Sequence, residues 1–205
     1  MIKDTNTLIH FSNLAQTILN QETRYQANKK IIQDIFKNPS VAFKDTIQFR
    51  LTVIDSYYST QMSKRLYGIE DIADVLVKYS DEVLKVEIDN FLQNPTKGII
   101  KELFNKNYGF NKEAKNPKKA ISLLSKYLYF LSDCQFPIYD TLGKVSYNLL
   151  KDNKYITSKA LTDDNYFELM IALNQTSNIK DFEKLDNLLW LLGKIKEGSF
   201  SILMD

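Results

Sequence analysis

Ser125-Lys126-Tyr127-Leu128-Tyr129-Phe130-Leu131-Ser132-Asp133-Cys134-Gln135-Phe136-Pro137-Ile138-Tyr139-Asp140 is the stretch from which the rest of this chain is read. Its first half closes an apolar run that starts at Asn116-Pro117. That start reads as an asparagine cap with proline at the first helical position, where a missing N–H costs nothing. Wound at about 100° per residue, a helix from Pro117 to about Leu131 gathers Ile121, Leu123, Leu124, Tyr127, Leu128, Phe130 and Leu131 on one broad face. Lys126 then falls at the edge of the stripe, beside Phe130 and on the side of Lys119. A loop from Ser132 to Tyr139, containing Pro137, ends the helix, and Asp140 opens the next one.

Outward from this passage, helical periodicity recurs almost everywhere. A first helix is expected from about Thr5 to Asn20, with Leu8, Phe11, Leu14, Ala15 and Ile18 on one face. A second carries Ile31, Ile32, Ile35 and Phe36 to Asn38-Pro39, and Ser40 reads as the cap of a long segment through Phe43, Ile47, Leu51, Ile54, Tyr57 and Tyr58. After the break at Gly68 come helices over Ile69–Tyr79, Asp81–Leu92 and Lys97–Phe104, with Ser80 as a cap, and residues 105–116 read as a loop. Further helices are expected from about Asp163 and from about Ile179 to Lys196. No fixed-period repeat and no low-complexity linker interrupts the chain. The expectation is an all-α fold over residues 1–205: a single helical domain, or two lobes of about 40–110 and about 111–205 plus the N-terminal helices.

Composition agrees with this class. Six glycines and four prolines in 205 residues are too few for an all-β fold, which needs frequent turn signals, and the 44% hydrophobic fraction can fill a core. Cys134 is the only cysteine and His10 the only histidine, which excludes an intrachain disulfide and leaves cysteine clusters, histidine-rich metal sites and a serine triad without their parts. The chain lacks GxxxxGK[ST], GxGxxG, HExxH and CxxC, so neither a cofactor nor a metal is expected. No signal-peptide pattern opens the sequence and no apolar run approaches about 20 residues; the expected location is cytoplasmic.

The net charge of +2 hides an uneven distribution. Residues 70–89 hold Glu70, Asp71, Asp74, Asp81, Glu82, Glu87 and Asp89 against Lys78 and Lys85. Residues 97–119 hold Lys97, Lys101, Lys106, Lys112, Lys115, Lys118 and Lys119 against Glu102 and Glu113, with Tyr108 and Phe110 among them. Cations, exposed aromatics and the free N–H groups of a helix start together suit a phosphate backbone. The other reading is a solvated lysine-rich face.

Two side chains are placed for chemistry. An amine at the margin of an apolar stripe can sit in a partly dry cleft, where it is less readily protonated and more nucleophilic; the alternative for Lys126 is a stem lying on apolar surface with its head in water. Asp140 is either an ordinary N-cap or a carboxylate held rigidly enough to assist a nearby amine.

The pattern Ser-Lys-x-Leu-x-Phe, a short loop, then Phe-Pro-Ile-Tyr-Asp resembles bacterial 8-oxoguanine glycosylase-like proteins of the helix-hairpin-helix DNA glycosylase superfamily. Asp55-Ser-Tyr-Tyr-Ser-Thr-Gln61 resembles that group's tyrosine-serine-threonine helix end, and Leu185-Asp-Asn-Leu-Leu-Trp-Leu-Leu-Gly-Lys194 its tryptophan-containing C-terminal helix. The segments stand in family order across roughly residues 43 to 196. The resemblance implies a two-lobed helical fold, double-stranded DNA as partner, and a lysine that attacks C1′ of a flipped, oxidised purine nucleotide to give a Schiff base. Asp140 takes the assisting role; the nucleophile is Lys126, Lys119 or Lys118. Lys112, Lys115, Lys118, Tyr108 and Phe110 would contact DNA, while Tyr57, Tyr58 and Gln61 would line the base pocket. The chain departs from the pattern in lacking the hairpin's Leu-Pro-Gly-x-Gly and a histidine after Asp140, and in the 14 positions between Lys126 and Asp140, fewer than in familiar members. A non-catalytic DNA-binding module and a helical protein-interaction domain are the other two readings.

Overall fold

The computed structural model describes residues 5–37, 43–110 and 116–198. Among these it contains α1 (Thr5–Gln21), α2 (Thr23–Lys37), α3 (Phe43–Tyr58), α4 (Gly68–Leu76), α5 (Asp81–Gln93), α6 (Ile99–Asn105), β1 (Asn107–Tyr108), β2 (Lys118–Lys119), α7 (Ile121–Leu131), α8 (Thr141–Asp152), α9 (Tyr166–Thr176) and α10 (Phe182–Lys196). The protein is therefore mostly helical, as its spacing predicts. None of the described helices is long and apolar enough to cross a membrane. The cap expected at Ser40 lies outside the described residues. The chain divides into two compact units, residues 27–136 and residues 1–26 with 137–205.

In the 27–136 unit α7 is the axis. Every residue from Leu123 to Leu131 is buried, as expected of a helix that is apolar nearly all round; α3, α5 and α6 pack on it, and α3 also packs on α4. α3 contributes Ile47, Leu51 and Ile54, one turn apart. Phe91, Phe104 and Phe136 meet with ring centroids 5.6–6.2 Å apart, the tilted and edge-on contacts that aromatic quadrupoles favour. Arg50 lies inside this core at 1% exposure. Its Nη1 pairs with Asp81 Oδ2 at 2.8 Å, its Nη2 donates to the Phe36 carbonyl at 2.9 Å, and its guanidinium stands 4.4 Å from the centroid of the Phe36 ring. Ser80 caps α5 through Val83 N, as read from the sequence.

The passage before α7 corrects an expectation. Asn116-Pro117 does not start the helix, which opens at Ile121. Lys118 and Lys119 instead pair antiparallel with Tyr108 and Asn107, and Leu66 forms a further bridge with Phe110, so the expected loop is a short hairpin. Tyr108 supplies the reason: its ring is buried at 1% exposure and its hydroxyl donates to the Leu103 carbonyl at 3.0 Å. Burying that ring draws its backbone inward, and β2 supplies the N–H and C=O partners that the backbone then needs.

The other unit packs α10 against α8 and α1. Leu185, Leu188, Leu189, Leu191 and Leu192 of α10 are buried, as are Leu8, Phe11, Ala15 and Leu19 of α1. Gly193 lets α8 come close; a Cβ there would stand 2.9 Å from a Leu142 methyl carbon. Ser146 Oγ donates to the Leu189 carbonyl across the same contact. Asp181 caps α10 by accepting from Glu183 N and Lys184 N, which moves the helix start from Ile179 to Phe182.

Candidate functional site

Lys126 is not at a helix edge. It is buried at 3% exposure, its amine donates to Ser122 Oγ at 2.9 Å one turn earlier, and the same nitrogen stands 5.5 Å from the centroid of the Tyr58 ring. Because α7 is enclosed by neighbours, the amine is held by protein groups, a hydroxyl and the negative face of an aromatic ring, and does not snorkel to water. Tyr58 ends α3 and also packs on Phe130, centroid to centroid 6.0 Å. The structure thus joins two residues nominated separately, one as nucleophile and one as pocket wall. Tyr57 is exposed. Gln61 is exposed as well, with its side chain donating to the Ser59 carbonyl at 3.3 Å.

The segment following Tyr58 is built around Asp55, a residue that sequence reasoning passed over. Its carboxylate accepts from Met62 N and Ser63 N at 2.9 Å each, and from the hydroxyls of Thr60 and Ser63. Ser59 and Gln61 take left-handed backbone, with φ of 50° and 67°, a conformation disfavoured for side chains with a Cβ and sustained here by those four bonds. Burial opposes the Asp55 charge, but the hydrogen bonds from Ser63, Thr60 and Met62 outweigh it and hold the carboxyl below the usual aspartate range. A folded-state value below the unfolded one gives stability that is present above about pH 4 and lost as pH falls through the lowered value. Acid titration monitored by amide exchange at Met62 and Ser63 should show the loop opening below about pH 4. Asp55→Ala should open it at neutral pH, costing about 2–3 kcal/mol; unchanged exchange in that variant would refute the role.

Of the expected DNA contacts, Lys118 is exposed on β2, and Lys119 is exposed with its amine on Asn105 Oδ1 at 3.2 Å. Neither lies at a helix start. Phe110 is partly exposed, whereas Tyr108 belongs to the core and is removed from the rim. Lys112 and Lys115 lie outside the described residues.

Asp140, in the other unit, caps α8: its Oδ1 accepts from Gly143 N at 2.6 Å. Beside it in sequence, Tyr139 packs on Tyr166, centroids 4.8 Å apart, and the Tyr166 hydroxyl donates to the Ile138 carbonyl at 2.7 Å, fixing the residues just before the cap. Lys144, one turn into α8, donates to the Tyr139 oxygen and to Asp163 Oδ1, both at 2.6 Å. Burial lowers the affinity of Lys144 for its proton, but Asp163 and Tyr139 more than compensate and hold its pKa above the ordinary lysine value. Lys144 went unmarked in the sequence and Asp163 was read only as a helix start; the only local signal was a lysine four positions after a capping aspartate.

No family model, curated protein or solved structure matches this chain. The chemistry is therefore read from the side chains alone: a lysine withdrawn from water beside an aromatic ring, a carboxylate fixed at a helix start, and an exposed basic strand.

Proposed function

We propose that the chain binds double-stranded DNA and removes an oxidised purine as a glycosylase and abasic-site lyase, with Lys126 as the amine and Asp140 as the assisting carboxylate. The observation that supports this most is the Lys126 amine, shielded from water and set against Tyr58 and Ser122. In the neutral form an amine so placed can add to C1′ of an extruded nucleotide as the bond to the base breaks. The base leaves with a proton, giving an aminal; the C1′–O4′ bond then breaks, O4′ takes a proton, and the opened sugar stays joined to the amine as an iminium. Asp140 takes the assisting role that the resemblance implies, as a carboxylate that stabilises the cationic sugar.

A second reading, a DNA-binding module without catalysis, is favoured by the same burial and by the use of the Asp140 carboxylate as a cap. Borohydride trapping on duplex containing 8-oxoguanine or an abasic site separates the two. The expected result is a covalent protein–DNA adduct, abolished in Lys126→Gln and retained in Lys118→Ala and Lys119→Ala. Asp140→Asn keeps a capping side chain and should slow adduct formation about 100-fold or more. DNA binding without an adduct would leave the binding module; no DNA affinity would remove both readings.

A further inference from the structure

One surface of the 27–136 unit plays no part in the lysine chemistry. Leu66 N donates to the Phe110 carbonyl at 3.0 Å and Phe110 N to the Leu66 carbonyl at 2.9 Å. Such a reciprocal antiparallel pair puts both side chains on the same face of the ribbon. That face is not covered: Leu66 is 49% exposed, Phe110 38%, and the adjoining Tyr67 65%. Leu66 and Phe110 share that face and Tyr67 follows Leu66 directly in the chain; large apolar side chains at this exposure normally occur singly on a protein surface.

The patch is also held stiff. Tyr67 takes left-handed backbone, φ 57°, immediately before α4. Arg65 ties its segment to the hairpin, its Nη2 donating to the carbonyls of Gly109 and Asn116. Asp55 fixes the start of the same segment through Met62 and Ser63. Next to Leu66 and Tyr67 opens a groove of about 490 Å³ whose other walls include Gln48, Thr52, Ser63 and Arg65, within the roughly 300–1,000 Å³ typical of ligand sites.

Charge selects the occupant. Lys64, Lys118 and Lys119 are exposed on the segments that carry the patch. Two nearby acids of α4 are already engaged, Asp71 by Gly109 N at 2.8 Å and Asp74 by Lys44; Glu70 remains on the groove wall. Exposed apolar rings on segments that also carry exposed cations, with amide and hydroxyl groups in the adjoining groove, match an unpaired nucleotide: a ring face stacks a base, the cations meet phosphate, and the polar wall meets base edges.

We infer that Leu66, Tyr67 and Phe110 form a stacking platform for the unpaired bases of a single-stranded DNA segment. This rests on the DNA-binding reading above and adds a contact surface separate from Lys126. The platform tolerates any base, because every base has a π-face.

Fluorescence anisotropy with a labelled oligothymidylate and with a blunt duplex tests it on the full chain. Tyr67→Asn removes the ring with a residue suited to left-handed backbone, and Phe110→Thr keeps the strand pairing. Each should weaken single-strand binding about tenfold or more and duplex binding by less, while Tyr67→Phe keeps full affinity. Lys118→Gln with Lys119→Gln should flatten the salt dependence for both DNAs. Circular dichroism on each variant confirms that the helices persist. Single-strand affinity unchanged in both ring variants overturns the platform and leaves the DNA-binding reading intact. Wild-type protein that binds neither DNA overturns both.

Discussion

Arg50→Met is expected to destabilise the protein by about 3 kcal/mol, the lower end of the range for removing one partner of a buried ion pair. Methionine fills much of the arginine volume, so the loss is mainly electrostatic. Asp81 Oδ2 loses its 2.8 Å partner, the Phe36 carbonyl its 2.9 Å donor, and the Tyr127 hydroxyl a contact at 3.4 Å. Phe36 also loses the cation over its ring. The Asp81 side chain is 22% exposed against 1% for Arg50, so water can reclaim part of the stranded carboxylate, which is why the lower end applies. Arg50→Lys should recover little, since an ammonium cannot serve the carboxylate and the carbonyl with a planar fork. Urea unfolding of the single variants and of Arg50→Met with Asp81→Ser gives the coupling directly. Removing both charges should restore at least about 1 kcal/mol relative to Arg50→Met alone. A loss under 1 kcal/mol for Arg50→Met would show the ion pair to be incidental.

Gly109→Ala is expected to cost about 2–5 kcal/mol by two separate routes. Gly109 has φ +59°, where a Cβ costs about 1–2 kcal/mol. That Cβ would also stand 2.7 Å from Gly68 Cα and 2.9 Å from Gly68 N and the Leu66 carbonyl oxygen. All three are backbone atoms, so no rotamer change relieves the contact, and overpacking adds about 1–3 kcal/mol. Relief requires the hairpin to move off α4, which pulls Gly109 N from Asp71 and strains the Leu66–Phe110 pair. Faster amide exchange at Leu66, Phe110 and Gly109 should accompany the lower unfolding midpoint. Wild-type exchange at these amides would mean that the backbones do not touch as described.

The helices legible in the sequence are those whose signals are local. Ser80 and Asp140 sit where their side chains meet the N–H three residues on, and each caps its helix. α1, α3 and α5 begin and end within a few residues of where their apolar spacing places them, and α2 ends where expected, although it begins at Thr23, well before the Ile31 from which its spacing is read. Local signals also misled. Asn116-Pro117 has the chemistry of a helix start, yet Lys118 and Lys119 pair with residues eleven or so positions away because Tyr108 has to be buried. Asp163 and Ile179 anticipate helices that start at Tyr166 and Phe182, since a cap needs free backbone before it and periodicity alone does not mark where that begins.

The candidate site was only half legible. Residue types and their order brought Lys126, Tyr58 and Asp140 to notice, but exposure is a property of what packs around a residue. Lys126 reads as an edge position on an isolated helical wheel and becomes interior once α7 is enclosed. Tyr108 looks like a surface aromatic among lysines and is core. Asp55 opens the Asp55–Gln61 segment but is given no role there, and its importance appears only when Thr60, Met62 and Ser63 fold back onto it.

By itself, then, the amino-acid sequence determined a mostly helical chain, the faces of its longer helices and the caps at Ser80 and Asp140. Those follow from hydrogen bonds and side-chain spacings within one or two turns, which the order of residues specifies directly. Tertiary structure decided where the charges went: Arg50 into the core against a carboxylate 31 positions away, Lys126 beneath an aromatic ring from another helix, and the hairpin that leaves Leu66, Tyr67 and Phe110 open to solvent. Burial and pairing at such separations depend on which elements meet, and that is settled by the packing of the whole core and by no local pattern.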